Sequence, residues 1–247
     1  MSAPVPGFCI ERNSAIRTKM LIRAWQVLGE RGGRMLDVGG GDGRMWVDFL
    51  ANVPSVQYHS VEPFVAVVES ARKALPEHAE SIRVGRGEDI VELFDGEFDL
   101  IVSRSVLEHV VKREVFIRAM CSALAPGGLL LLTWGRGHFK EGLLTDIRNL
   151  ASQALALGGV DRFYAAPVSE DALLDQLDRN GMQVVERMGT MLPDVKAAHK
   201  LISDSELRDS CTLRWLALEE SLNGAIEDER FLRQVPNEVY VEITARQ

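Results

Sequence analysis

Cysteine is scarce in this chain and never clustered. Cys9, Cys121 and Cys211 are the three in 247 residues, and no two share a C-x-x-C spacing. They therefore offer no metal-like cluster; they read as buried or incidental thiols, at home in a reducing cytoplasm. Basic runs are missing too. With a formal charge of -8 and no densely basic stretch, the chain is a poor partner for a nucleic-acid backbone. The longest apolar run, "LLLLTW", is far too short to span a bilayer. The opening "MSAPVPGFCIERN" has no apolar core of the signal-peptide kind, so neither export nor a membrane partner is expected. No repeat, low-complexity tract or Pro/Ser-rich linker divides the sequence, which suits a single domain over 1–247. With 46% hydrophobic and 26% charged residues there is ample material for a core. An acidic enzyme acting on small molecules fits these bounds.

Periodicity gives the outline. "SAIRTKMLIRAWQVLGERGG" sets Ile16, Met20, Ala24 and Val27 at helical spacing and stops at Gly32 and Gly33, within an N-terminal helical segment 1–33. "RMLDV", "VQYHSV", "SIRVGR", "FDLIVSRS" and "LLLLTW" read as strands, the fourth apolar on both faces as a central parallel strand should be. Between them "GRMWVDFLAN", "PFVAVVESARKAL" and "REVFIRAMCSALAPGG" read as helices, the second with Pro63 in its first turn. This alternation predicts a doubly wound α/β sheet. The rhythm then breaks at an extra segment, 135–167, with a helix expected at 143–155. It resumes in "SEDALLDQLDRNGMQVVERM", where Ser169 caps a helix and Gly181 ends it. A second extra segment, 190–236, holds a helix with Leu207, Cys211, Trp215, Leu218 and Leu222 on one face. "NEVYVEITAR" closes as an alternating strand suited to a sheet edge.

The stretch "MLDVGGGDGRMW" reads as strand, tight turn and helix around a ligand. A dinucleotide loop wants G-x-G-x-x-G, but from Gly39 the last glycine arrives one residue early, at Gly43. Asp37 and Asp42 flank the turn, and a pyrophosphate at a helix N-terminus is poorly served by carboxylates. A ligand with an ammonium group and a sulfonium is served well. Glu62, ending the second strand, is placed for a ribose diol.

Taken in order, "LDVGGGDGR", "VEPF", "FDLIVSRSVLEHV" and "LAPGGLLLLTW" resemble the motifs of the class I S-adenosylmethionine-dependent methyltransferases over residues 13–135, and more loosely over 168–189 and 237–247. The resemblance implies a Rossmann-like, seven-stranded, mostly parallel sheet with helical insertions after strands 5 and 6. It implies S-adenosylmethionine as cofactor and S-adenosylhomocysteine as product. Gly39, Gly40 and Gly41 would pass under the methionine part, and Asp37 would sit near its amino group. Glu62 would take both ribose hydroxyls, with Pro63 opening the helix beside the adenine. Where the family often has a Gly-Asp-Ala turn this chain has "VGRGEDI". Arg86 stands at the acidic position, and Gly87 with Glu88 or Asp89 would meet the adenine from a shifted one. Ser103, Arg104 and Ser105 match the stretch flanking the methyl donor.

Methyl transfer from a sulfonium needs alignment and exclusion of water; a base is needed only where the acceptor must lose a proton. His109 and His138 are the candidate bases for an acceptor hydroxyl. His109 follows the fourth strand, where Glu108 and His109 equally suit a structural cap of the next helix. His138 follows the fifth. Both insertions leave the sheet edge that carries the glycine loop, so they are expected to form a helical lid and acceptor pocket. Trp134, Phe139, Phe163, Tyr164 and Trp215 are its aromatic candidates, with core packing the competing role. Arg12, Asn13 and Arg17 are expected near the same edge, or else as solvated charges. No Asp/Asn-Pro-Pro-Tyr/Phe signature, acidic magnesium cluster or double-glutamate loop is present. The reading is O-methylation of a small-molecule acceptor in biosynthesis, by a monomer or homodimer, without metal. N-methylation of an amino sugar, and a module that binds the cofactor without turnover, are the alternatives.

Overall fold

Strand β1 (Gly33–Val38) shows how this sequence makes a sheet core. Met35 and Leu36 are both fully buried, yet they enter two different hydrophobic clusters, because successive strand side chains point to opposite faces. β4 (Phe98–Arg104) does the same with Leu100 and Ile101, and β5 (Leu124–Gly135) with Leu130 and Leu131. Near-continuous apolar runs are therefore strands covered on both sides. In this computed structural model the described residues are 5–12, 14–135, 150–151, 164–192, 195, 201–228 and 236–246.

The sheet has seven strands in the order β3-β2-β1-β4-β5-β7-β6, adding β2 (Val56–Glu62), β3 (Ile82–Val84), β6 (Met182–Thr190) and β7 (Glu238–Ala245). β1 to β5 pair in parallel, and β7 runs antiparallel to both β5 and β6. On one face lie α1 (Ala15–Leu28), α2 (Val47–Asn52), α3 (Val65–Ala74) and α7 (Ser205–Ala225). The other carries α4 (Ile90–Leu93), α5 (Arg113–Ala123) and α6 (Glu170–Arg179). This is the expected doubly wound, mostly parallel, seven-stranded fold.

Caps fall where side chains supply them. The hydroxyl of Ser14 accepts from the Arg17 amide, that of Ser169 from Ala172, and the carboxylate of Asp204 from Leu207. Gly181, at φ 70°, ends the stretch after α6 as its sequence predicts.

Three expectations need correction. β7 lies inside the sheet, not at its edge; the edge strands are β3 and β6. Its charged position, Glu242, is buried because Arg23 donates to it at 2.8 Å and the Tyr240 hydroxyl at 2.5 Å. In α7 the buried stripe is Thr212, Trp215, Leu216 and Glu219, while Leu207 and Leu218 are 53% and 49% exposed. Glu219 turns the helix this way: it accepts the amides of Met191 and Leu192 and the indole N–H of Trp215. Finally, Pro63 precedes α3, whose N-cap is Phe64. The helix expected at 143–155 lies outside the described residues, apart from helical Leu150 and Ala151.

No helix among the described residues is long and apolar enough to cross a membrane, and none of their side chains cluster as a metal site. Cys9 and Cys121 are buried free thiols, pushed up to about 12 and about 11 by burial.

Candidate functional site

The parallel strands β1, β2 and β4 end at one sheet edge, and their last side chains build the site. β1 runs into a turn with Gly39 at φ 72° and Gly41 at φ 60°, a left-handed path that suits glycine. At Gly39 a Cβ would come within 2.3 Å of Val106, whereas at Gly41 it would meet nothing within 4 Å. The first glycine serves packing. The second keeps open space above the turn.

Glu62 ends β2 and is 7% exposed. Its Oε2 accepts the Gly41 amide at 3.3 Å and its Oε1 the Phe64 amide at 3.4 Å. Burial raises its carboxyl above the usual range, and these two main-chain donors oppose the rise. Glu62 lines a cavity of about 750 Å³ together with Gly39, Pro63, Phe64, Arg86, Gly87, Glu88 and Asp89. Farther along its wall stand Arg104, Ser105, His109, Val110, Phe116 and Tyr164. A Cβ at Gly87 would strike the Phe116 ring at 2.2 Å, so the wall closes there only over glycine.

Asp37 lies in a smaller cavity beside the turn, with Gly40, Trp46 and Arg104. Its Oδ2 accepts the indole N–H of Trp46 at 2.7 Å and the hydroxyl of Tyr58 at 3.1 Å. Burial pushes the carboxyl up to about 6, against those two donors and the charge of Arg104. Arg104 borders both cavities. Burial and the nearby Arg104 charge hold the Arg17 guanidinium below its usual range. Asp37 and Arg104 thus share the small cavity, a gap of about 10 Å³.

After β4 the backbone bends sharply. Ser105 adopts φ 54°, unusual outside glycine, and its amide donates to the carbonyl and hydroxyl of Thr133 at 3.0 and 3.2 Å. The chain then makes one 3-10 turn, Leu107–His109. Glu108 is buried and accepts the Gly135 amide at 3.0 Å, so it serves as the structural member of the pair. His109 is exposed to the cavity, with Nδ1 3.0 Å from the Tyr164 carbonyl oxygen. A carbonyl only accepts, so this contact calls for the proton on Nδ1, which in the neutral ring leaves Nε2 as the bare nitrogen.

The glycine turn, Asp37, Glu62, Pro63, Gly87, Glu88, Arg104 and His109 all gather at this edge. Ser103 is buried behind them and borders neither cavity. His138, Asn13, Phe139 and Phe163 lie outside the described residues. Trp134 and Trp215 are core residues, and Arg12 is taken by Asp209 at 2.5 Å. Phe116, Val110 and Val111 were missed from the sequence, because their helical and turn positions look like ordinary core.

A model of a family described as "Methyltransferase domain" matches residues 11–187. Over 51 residues, 21% of this chain, the sequence is 43% identical to the human mitochondrial ubiquinone biosynthesis O-methyltransferase, a match spanning 14% of that protein. Among solved structures, the fold is similar to the O-methyltransferase of a trans-AT PKS multienzyme from Brevibacillus brevis, in complex with S-adenosylhomocysteine. The TM-score is 0.55 at 15% identity, covering 92% of this chain and 74% of that one. It is also similar to Haemonchus contortus phosphoethanolamine N-methyltransferase 2 in complex with S-adenosylmethionine. There the TM-score is 0.53 at 16% identity, covering 87% of this chain and 49% of that one. The chain thus spans about half of the Haemonchus protein and a small part of the human one.

Proposed function

The chain belongs to the methyltransferase domain family, and from that membership we propose that it moves a methyl group from S-adenosylmethionine to an oxygen of a small-molecule acceptor. The observation that carries the cofactor half is Glu62. It is a buried carboxylate on the wall of a large cavity, tied to the Gly41 turn by a main-chain bond. Each of its oxygens accepts one main-chain N–H and keeps a lone pair for a ribose hydroxyl. The amino-acid tail of the cofactor would lie over the open turn at Gly41, with Asp37 nearest for the ammonium and Arg104, which borders the large cavity, for the carboxylate. Gly87, Glu88 and Asp89 would then border the adenine, with Phe116 and Val110 as its apolar wall.

When bound, S-adenosylmethionine supplies an activated methyl group whose departure leaves a neutral thioether. This chain's residues have to hold, align and exclude water. His109 adds a base: Nε2 takes the proton of an acceptor hydroxyl while Nδ1–H stays on the Tyr164 carbonyl. A bare imidazole nitrogen at the cavity favours a hydroxyl, since a carboxylate acceptor needs no base. The similar proteins named above include two O-methyltransferases and an N-methyltransferase, so the preference for oxygen rests on His109. Of the segments 135–167 and 190–236, expected from the sequence to form a lid, much lies outside the described residues; among those described, Tyr164 borders the large cavity.

The test is turnover. Purified protein with S-adenosylmethionine and a panel of phenols, sugars and amino sugars should release S-adenosylhomocysteine with hydroxyl acceptors. Release with amines alone would move the reaction to nitrogen. Tight cofactor binding with no release across the panel would leave a binding module.

A further inference from the structure

Arg113 occupies the first position of α5, where the helix macrodipole disfavours a cation. Nothing about the helix calls for arginine there. Its guanidinium is spent elsewhere, on three backbone carbonyls. Nε donates to Leu107 at 2.9 Å, and the two terminal nitrogens donate to Pro167 at 2.7 Å and Ala166 at 2.6 Å. Leu107 opens the turn that carries His109. Ala166 and Pro167 belong to the segment returning toward α6. One planar fork therefore joins two stretches far apart in sequence, a geometry that a guanidinium supplies and an ammonium does not.

Further bonds lie alongside. The Ala166 amide donates to the Glu108 carbonyl at 2.9 Å. Two residues before Ala166, the Tyr164 carbonyl meets Nδ1 of His109 at 3.0 Å, and Tyr164 itself borders the large cavity. Burial lowers the Arg113 guanidinium from its ordinary value, with the nearby Tyr164 and Glu108 opposing the shift.

We propose that Arg113 is a positioning residue for the reaction: it clamps Tyr164–Pro167 onto the turn at Leu107–His109, and so keeps the imidazole of His109 in the tautomer with Nε2 bare. This rests on the reading of His109 as base, but the clamp itself is measured without catalysis. The chain is labelled with nitrogen-15, and the His109 ring is observed above about pH 8, where an ordinary imidazole is neutral. The wild-type protein should show the Nδ1–H tautomer, and the Ala166 amide should exchange slowly. In Arg113→Met, Ala166 exchange should quicken at least about tenfold, the opening of a bond worth about 1.4 kcal/mol. The tautomer should become mixed, and turnover should fall at least about tenfold. S-adenosylhomocysteine affinity should stay within about threefold. Arg113→Lys, which keeps the charge without the fork, should recover part of each loss and guards against a variant that does not fold.

A tautomer unchanged in both variants would overturn the clamp. A lost tautomer with full turnover would overturn its role in the reaction. The base reading fails on separate evidence, through a fully active His109→Asn protein.

Discussion

The Gly41 amide and the Glu62 carboxylate are twenty-one residues apart in the chain and 3.3 Å apart in space. The bond ties the turn after β1 to the acid that ends β2. It makes the two halves of the proposed cofactor site, tail and ribose, one unit. Disturbing either residue is therefore expected to be felt through the other.

Glu62→Ala removes the acceptor of the Gly41 and Phe64 amides and the proposed ribose ligand together. Charge-assisted bonds of this kind contribute about 1–3 kcal/mol, so the dissociation constant for S-adenosylhomocysteine should rise roughly 5- to 150-fold. Calorimetry reads this directly, and an unaltered constant would take Glu62 out of the site.

Gly39 and Gly41 should fail in different ways. Gly39→Ala drives a Cβ onto Val106 and should lower the melting temperature of the free protein. Gly41→Val enters open space, so beyond the left-handed strain of about 1–2 kcal/mol the free fold should survive. What it should lose is the thermal shift on adding S-adenosylhomocysteine. A normal ligand-induced shift in Gly41→Val would refute the assignment of that space.

Asp37 gives cofactor affinity a pH dependence. In the free protein burial raises its carboxyl from 3.8 to about 6, so its folded form holds a proton more tightly than its unfolded form. Its contribution to stability is complete at the acid end and is lost as pH rises through that window. An ammonium ligand needs the charged form, so affinity should run the other way, weakening by up to about tenfold for each unit below about 6. Glu62, also raised, adds to the same trend, so the comparison is with Asp37→Asn, which should bind weakly with a much flatter profile. Identical slopes in the two proteins would remove Asp37 from ammonium binding.

If His109 is the base, His109→Asn should lower turnover by about 10²- to 10⁴-fold, leaving cofactor affinity nearly unchanged. His138→Ala, made in parallel, separates the two histidines. Wild-type turnover at every pH in both variants would mean that neither acts as the base.

Glu219 predicts a purely structural loss. Its carboxylate accepts the amides of Met191 and Leu192 at 2.9 and 3.0 Å and the Trp215 indole at 3.0 Å. Glu219→Ala strands three donors around a buried position and should cost at least about 2 kcal/mol, seen as a fall of about 4 °C or more in melting temperature. A melting temperature within about 1 °C of the wild type would contradict this.

The strands were legible because β1, β4 and β5 are covered on both faces and must be apolar throughout. The glycine turn and Glu62 were legible because backbone conformation and a strand-end acid leave direct marks on sequence. β7 was misplaced because Glu242 looks like an outward-facing charge until Arg23 and Tyr240 are seen against it. The face of α7 was misread because a buried glutamate, Glu219, turns the stripe away from Leu207 and Leu218. The contact between His109 and the Tyr164 carbonyl left no mark, since a backbone acceptor can belong to any residue. Asp37 was legible as a candidate, but nothing in the sequence tied it to Trp46 and Tyr58, whose side chains donate to it.

The placement of β7 bears on how the chain emerges during synthesis. It is hydrogen-bonded to β5 on one side and β6 on the other, yet it is made after both. A nascent chain that has reached Thr190 therefore carries two open strand edges, one on the leucine-rich β5, with nothing yet to zip them together. Such edges attract other chains. Aggregation during expression is thus expected to depend on how promptly residues 238–245 arrive, and a stalled or nicked chain lacking them should be recovered largely as insoluble protein.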